Sequence, residues 1–197
     1  MGLAARIRNR IYGEPLAPCR TELLNRMPKN SVCAEIGVYK GEFSGHILKV
    51  VRPKKLHLID PWFYETAPEY RRTWYGGNAG VDQKHMDSLW QSVAHKFRKE
   101  IEAGIVVIHR GKSGDVLPPF PDGYFDWTYI DGNHAYEFVR DDLVESFRVV
   151  RPGGYLAGDD YHLNGWWGDG VTRAVDEMRD RCATKMILDG QFILQKP

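Results

Sequence analysis

Long hydrophobic runs and cysteine are both scarce in this sequence. No uninterrupted apolar stretch approaches the roughly 18–20 residues that a membrane helix needs, which excludes a spanning segment of that kind. The three cysteines, Cys19, Cys33 and Cys182, form no C-x-x-C pair, so neither a disulfide framework nor a structural zinc site is indicated. Because the N-terminus also lacks the apolar core of a secretory signal, we expect a reduced, cytoplasmic protein.

An excess of charge of either sign is also missing. Lys and Arg number 27 and Asp and Glu number 26, which leaves a net charge of +1. This balance provides no global attraction to nucleic acid or to an anionic membrane, so we expect neither as a partner. Internal repeats and low-complexity tracts are absent as well. With 197 residues, of which 43% are hydrophobic, the chain is expected to form one globular domain over residues 1–197.

What the sequence does contain is an alternation of short apolar runs with amphipathic segments. The runs predict strands at 31–37, 56–59, 105–109, 125–130 and 154–157, and the amphipathic spacing predicts helices at 42–51, 135–150 and 170–181. Asp189-Gly190, between two final short runs, is a hairpin signal. The alternation predicts a Rossmann-like, doubly wound α/β fold with a mostly parallel sheet. Ligands bind outside the carboxyl ends of such strands, so residues there are the candidates for chemistry.

An aromatic segment at about 61–90 interrupts the alternation. It contains seven aromatic residues and three glycines: Trp62, Phe63, Tyr64, Tyr70, Trp74, Tyr75, Trp90, Gly76, Gly77 and Gly80. Long connections of this kind are uncommon and often cover a ligand, so we expect a lid; ordinary packing against the sheet edge is the alternative. Aromatic insertions also form subunit interfaces, which adds a homodimer to the expected partners.

The turn after the first strand differs from that of a dinucleotide-binding fold. The pattern G-x-G-x-x-G is absent; Gly37 and Gly41 are spaced as G-x-x-x-G, with the bulky Tyr39 between them. Gly37 permits a tight turn and a close approach to a ligand. Glu35, just before the turn, favours a cationic or amino-bearing ligand over a diphosphate.

Two further strand ends carry single polar candidates. Asp60 ends the second strand, and a carboxylate there can accept both hydroxyls of a ribose, in an NAD site as in others. Ser113 follows the third strand and can line an adenine pocket, with a simple turn residue as an equal alternative.

The ends of the fourth and fifth strands carry the acidic residues Asp131, Asp159 and Asp160. Adjacent parallel strands would bring these three carboxylates together, where they repel each other unless a cation neutralises them. Mg²⁺ prefers such oxygen ligands, so a metal site is predicted; helix capping by Asp131 and Asp159 is the alternative. His134 is the histidine next to this cluster and is the candidate general base, with His162 as the second choice.

These segments resemble a known family. The stretches A-E-I-G-V-Y-K-G, H-L-I-D-P-W, I-D-G-N-H-A-Y and R-P-G-G-Y-L-A-G-D-D-Y are similar to those of class I S-adenosylmethionine-dependent methyltransferases. Among these, the chain resembles the metal-dependent sugar O-methyltransferases related to macrocin O-methyltransferase. The resemblance covers about residues 31–178 and implies a seven-stranded sheet whose last strand is antiparallel.

The resemblance also implies a role for each candidate residue. Glu35, Gly37 and Gly41 would shape the methionine end of the cofactor site, Asp60 would hold the ribose, and Ser113 would lie near the adenine. Asp131, which also borders the cofactor, would bind Mg²⁺ together with Asp159 and Asp160, and His134 would be the base.

A sugar or oligosaccharide acceptor is then expected, with a place in polysaccharide or antibiotic-sugar synthesis. A catechol-like diol is the alternative acceptor. A non-catalytic carbohydrate-binding domain and an NAD-dependent oxidoreductase are the alternatives from other functional classes.

Overall fold

Short strands alternate with helices along the part of the chain that the structure describes, as the apolar pattern predicts. The computed structural model describes residues 15–67, 70–71, 73–77, 81–163 and 165–197. The strands are β1 (Val32–Ile36), β2 (Lys55–Asp60), β3 (Val106–Arg110), β4 (Phe125–Ile130), β5 (Val150–Gly158), β6 (Thr184–Leu188) and β7 (Gln191–Gln195). The helices are α1 (Pro18–Arg26), α2 (Glu42–Val50), α3 (Gln83–Lys96), α4 (Arg98–Glu102), α5 (Ser113–Val116), α6 (Tyr136–Val149) and α7 (Gly170–Arg179).

The strands form one seven-stranded sheet in the order β3-β2-β1-β4-β5-β7-β6. Strands β1 to β5 pair in parallel, and β7 pairs antiparallel with both β5 and β6. The predicted antiparallel last strand is therefore confirmed, although it lies between β5 and β6 rather than at the edge. Asp189 and Gly190 have φ values of 45° and 87°, as a tight hairpin turn requires.

The strand order creates a crevice at the centre of the sheet. From β1 the chain proceeds to β2 and β3 on one side, and from β4 it proceeds to β5 on the other. The connections that follow β1 and β4 therefore diverge, which leaves an opening at the carboxyl ends of these two adjacent strands. The topology thus places the candidate residues of four strand ends around one opening.

Helices cover both faces of the sheet, which confirms the doubly wound architecture. Buried side chains of α1, α2 and α3, among them Leu24, Ile47 and Val93, pack on one face. Those of α6 and α7, such as Leu143 and Val175, pack on the other. Burial of each such side chain stabilises the fold by about 1.5–3 kcal/mol relative to its exposure.

The aromatic segment after β2 is partly helical. Helix α3 begins after Asp82, whose side chain caps it by accepting a hydrogen bond from the His85 N–H at 2.7 Å. Trp90 therefore belongs to a helix, and Trp62 is completely buried in the core. Residues 68–69, 72 and 78–80, Gly80 among them, lie outside the described residues. Nowhere in the described ranges is a helix both long enough and apolar enough to cross a membrane.

Candidate active site

A cavity of about 640 Å³ opens at the carboxyl ends of β1, β2, β4 and β5. Its volume lies within the range of roughly 300–1,000 Å³ that is typical of small-molecule sites. The candidate residues that line it are Glu35, Gly37, Asp60, Ser113, Asp131, His134, Asp159 and Asp160. Gly41 is instead the N-cap of α2, where its φ of 65° and the Phe97 ring, 2.8 Å from an added Cβ, require glycine. His162 is likewise not one of the lining residues.

Gly37 lets the ends of β1 and β4 meet backbone to backbone. Its φ is 88°, and an added Cβ would lie 2.0 Å from the carbonyl oxygen of Asp131. The Asp131 N–H in turn donates to the Ile36 carbonyl at 2.8 Å. Because no side chain fits at residue 37, this glycine places Asp131 close to the turn after β1.

Glu35 is a buried carboxyl group at this turn. Its side chain is 2% exposed, and the Ser44 hydroxyl donates to Oε2 at 2.5 Å. Burial, assisted by the nearby Asp131 and Asp60 and opposed by the Ser44 hydrogen bond, raises the pKa of Glu35 to about 8. A ligand cation in this part of the cavity would favour the ionised form of Glu35.

Asp60 is fully buried and hydrogen-bonded within the protein. Its Oδ2 accepts from the N–H groups of Val38 and Tyr39, both at 2.9 Å, and from the Tyr75 hydroxyl at 2.6 Å. Its Oδ1 accepts from the Trp62 N–H at 2.7 Å. Burial raises the pKa of Asp60, and the hydrogen bonds oppose that rise. Tyr75, from the aromatic segment, is thus the side-chain donor on the carboxylate that we predicted to hold a ribose.

Ser113 donates a hydrogen bond to Oδ1 of Asp142, a residue that sequence reasoning missed. Asp142 lies on α6, is 6% exposed and lines the same cavity. Burial raises its pKa to about 7. A signal was available, because Asp142 lies among the apolar positions Val139 and Leu143 on the buried face of the helix predicted at 135–150.

Asp131, His134 and Asp160 form a compact group in the same cavity, here called its acidic end. His134 Nε2 lies 3.5 Å from Asp131 Oδ1 and 3.2 Å from Asp160 Oδ2. One ligand atom from each residue fits within 4.8 Å of the others. These are ion-pair distances without hydrogen-bond geometry, and Nε2 is buried with no hydrogen-bond partner among the described residues. Burial raises the pKa of Asp160, and His134 opposes the rise.

Both carboxylate oxygens of Asp159 interact with other side chains of the protein. Arg20 on α1 pairs with its Oδ2, and Gln191 on β7 donates to its Oδ1. Arg20 also donates to Asp131 Oδ2 at 3.1 Å. The group of mutually close ligand atoms therefore contains His134 where we expected Asp159. Arg20 and Gln191 were both missed, because Arg20 precedes the first predicted strand and Gln191 follows the hairpin signal, so neither lies at the carboxyl end of a predicted strand.

The capping alternative for the acidic residues is not what the structure shows. At the start of α6, Asn133 Oδ1 accepts from the Ala135 N–H at 3.0 Å, and the N-cap Ala135 has no side-chain cap. The N-cap of α7 is Asp169. Asp131 and Asp159 are therefore free of a capping role, and their carboxylates face the cavity.

Aromatic rings form part of the cavity lining. Tyr39 and Trp74 pack together with ring centroids 4.8 Å apart. Trp167 contacts the His134 ring with centroids 4.6 Å apart, and Trp166 packs against Trp167 at 5.7 Å. The two tryptophans were missed, since they follow β5 in a short segment without strand or helix periodicity.

A glycine supports the backbone behind His134. Gly170 begins α7, and a Cβ added there would lie 2.7 Å from the His134 carbonyl oxygen and 2.8 Å from the Tyr136 nitrogen. The first turn of α7 therefore packs directly on the loop that presents the imidazole.

Comparison with known proteins agrees with this architecture. Residues 34–161 match a family model described as "Methyltransferase domain". A search of curated proteins finds no significant match.

Solved structures show the same fold. The O-methyltransferase TomG from Streptomyces achromogenes, involved in tomaymycin synthesis and solved with SAM, is 18% identical, with a TM-score of 0.61 over 98% of this chain and 88% of that chain. An O-methyltransferase from Bacillus cereus, solved with SAH, is 12% identical, with a TM-score of 0.60 over 99% and 88%. A protein from Corynebacterium glutamicum is 17% identical, with a TM-score of 0.62 over 98% and 88%.

Proposed function

We propose that this chain, which belongs to the methyltransferase domain family by its match over residues 34–161, is an S-adenosylmethionine-dependent O-methyltransferase. It uses a divalent cation and methylates a hydroxyl of a sugar or glycan-type molecule. The observation that carries the proposal is that the predicted cofactor residues other than Gly41 and the Asp131–His134–Asp160 group line one cavity. The bound SAM and SAH of the TomG and Bacillus cereus structures support the choice of cofactor.

The cavity end formed by the turn after β1 suits this cofactor. S-adenosylmethionine would supply its methyl group as an electrophilic sulfonium methyl. Glu35, whose pKa is raised to about 8 by burial, would become ionised beside the amino group of the methionine moiety. Gly37 leaves room for close approach, and Asp60 and Ser113 would bind the ribose and the adenine.

The residues at the acidic end fit a divalent cation. Asp131 and Asp160 offer carboxylate oxygens, which Mg²⁺ prefers, and one oxygen of each lies within 4.8 Å of the other. Such a cation would supply positive charge beside the acceptor hydroxyl and make its proton easier to remove.

We propose that His134 accepts that proton at Nε2. The imidazolium would then lie between Asp131 and Asp160, whose oxygens at 3.5 and 3.2 Å would stabilise the charge. Trp167 packs against the ring and limits its orientation. A nitrogen that ligates a metal cannot also take a proton, so the role of base and the role of ligand exclude each other for Nε2.

The aromatic walls support a sugar acceptor of the macrocin-related type. Flat faces of pyranose rings stack on aromatic side chains such as Trp74 and Trp166 while their hydroxyls reach polar groups. A catechol-like diol is the second candidate, because the same rings can enclose an aromatic acceptor whose paired hydroxyls face the acidic group. In either case the segment at 61–82 would act as the lid.

The first test is calorimetric titration with S-adenosylmethionine and with NAD⁺, each with Mg²⁺ and with EDTA. We expect S-adenosylmethionine to bind in both conditions and NAD⁺ in neither. Methyl transfer to a panel of glycosides and catechols should then stop when EDTA is added. Absence of S-adenosylmethionine binding would overturn the enzyme proposal and favour the carbohydrate-binding alternative.

A pair of histidine variants tests the base. His134→Gln should lose methyl transfer but retain Mn²⁺ binding, whereas the exposed His162→Gln should retain both. Loss of Mn²⁺ binding together with activity in His134→Gln would show that the imidazole is a metal ligand instead.

A further inference from the structure

The N-terminal helix contributes a positive charge to the acidic end of the cavity. Arg20 lies on α1, outside residues 34–161 that match the family model. Its guanidinium pairs with Asp131 and Asp159, and it also lies 5.3 Å from the centre of the Phe43 ring. The side chain is 26% exposed, so water screens these contacts only in part.

These contacts divide the carboxylate oxygens into two sets. Asp131 Oδ2 and Asp159 Oδ2 face Arg20, and Asp159 Oδ1 is taken by Gln191 and the Asp160 N–H. Asp131 Oδ1 and Asp160 Oδ2 face His134 instead. Arg20 therefore neutralises part of the negative charge that a metal ion would otherwise meet.

We infer that Arg20 is a built-in counter-ion that weakens the hold of this site on a divalent cation by occupying Asp159 and one oxygen of Asp131. The inference rests on the proposed function in one respect, namely that the acidic end takes a divalent cation. A dication on the other oxygen of Asp131 would lie within a few ångströms of the guanidinium and be repelled by it.

The test measures the affinity of the full chain for Mn²⁺ alone, by electron paramagnetic resonance of the free ion. Arg20→Met and Arg20→Gln remove the charge and release both carboxylates, and we expect each to bind Mn²⁺ at least about tenfold more tightly than the parent chain. Arg20→Lys keeps the charge and should bind within about threefold of the parent chain.

Arg26→Met is the matched control, because Arg26 lies on the same helix and pairs with Glu22 away from the cavity. Its Mn²⁺ affinity should not change. Thermal melting by circular dichroism identifies any variant that fails to fold, and the Gln variant, which retains hydrogen-bond donors, then replaces the Met variant.

Unchanged or weaker Mn²⁺ binding in the folded Arg20→Met or Arg20→Gln protein would overturn the inference, since damage to the site weakens binding and only removal of a competing charge tightens it. No Mn²⁺ binding by any variant would also overturn it. Titration of the same proteins with S-adenosylhomocysteine, the product of the cofactor, distinguishes a failure of this inference from a failure of the proposed function. A chain that fails to bind this product contradicts the proposed function whatever its Mn²⁺ affinity.

Discussion

Replacement of Tyr75 by phenylalanine removes one of the hydrogen-bond donors to the Asp60 carboxylate. The Tyr75 hydroxyl donates to Asp60 Oδ2 at 2.6 Å, and three backbone N–H groups, those of Val38, Tyr39 and Trp62, remain on Asp60 when it is removed. Asp60 is fully buried and its Oδ2 already accepts three hydrogen bonds, so a ribose hydroxyl can reach that oxygen only if one of the present donors leaves. The Tyr75 hydroxyl is the donor on a side chain and can move without disturbing the β1 turn.

The expected effects on folding and on binding have opposite signs. A hydrogen bond to a charged group contributes about 1.5–3 kcal/mol, so the free energy of unfolding of Tyr75→Phe should fall by about that amount. If Asp60 holds the ribose as proposed, cofactor binding no longer has to break that bond in the variant, and 1.4 kcal/mol corresponds to about tenfold in affinity. The variant should therefore bind S-adenosylhomocysteine at least about tenfold more tightly.

Calorimetric titration with S-adenosylhomocysteine and urea denaturation measure the two quantities. Tyr64→Phe is the control, because Tyr64 belongs to the same segment but packs against the core. Weaker cofactor binding by Tyr75→Phe would refute the reasoning, since it would mean that the hydroxyl helps to hold the ribose rather than competing with it.

Two further predictions concern the dependence of stability on pH, measured by urea denaturation. Burial raises the pKa of Asp142 to about 7, so the folded chain keeps a proton that the unfolded chain loses above about pH 4. The stability of Asp142→Asn relative to the parent chain should therefore rise by roughly 4 kcal/mol between about pH 4 and pH 7, and the exposed neighbour Asp141→Asn should show no such rise. Burial lowers the pKa of His57 to about 4, so this residue contributes stability above about pH 6.5 that is lost as the pH falls towards 4. Relative to that of the parent chain, the free energy of unfolding of His57→Gln should fall by roughly 3 kcal/mol as the pH rises through that window. The exposed His95→Gln should show no such fall. Difference curves that do not change with pH would contradict both pKa assignments.

Most of the fold could be predicted because its signals are local. Short β-branched runs, amphipathic spacing and the Asp189-Gly190 turn depend on neighbouring residues alone. The start of β5 shows the limit. Pro152, Gly153 and Gly154 look like a break, and we predicted a strand from residue 154, but β5 begins at Val150. The register shifts at this point and Gly153 has a φ of 72°, so an irregularity lets the strand pass through residues that do not pair regularly.

Part of the candidate site could likewise be predicted from the sequence and part could not. Asp60, Asp131 and Asp160 could be placed together because the carboxyl ends of parallel strands lie at one edge of a sheet. Arg20 and Gln191 could not, since they reach this edge from a helix before β1 and from the last strand, through contacts that no spacing encodes. Their roles follow from tertiary packing, and so does the partition of the acidic residues between Arg20 and His134.

Gly170 has no side chain, yet its contact with the loop of His134 determines where the imidazole lies. A side chain at residue 170 would collide with the carbonyl of His134, and residue 170 lies beyond the 34–161 segment shared with the family. A substitution at residue 170 is therefore expected to displace the loop that holds His134. A variant could keep every polar group of the cavity and still lose the position of the imidazole through one methyl group, so the candidate site depends on this glycine as well as on its acidic residues.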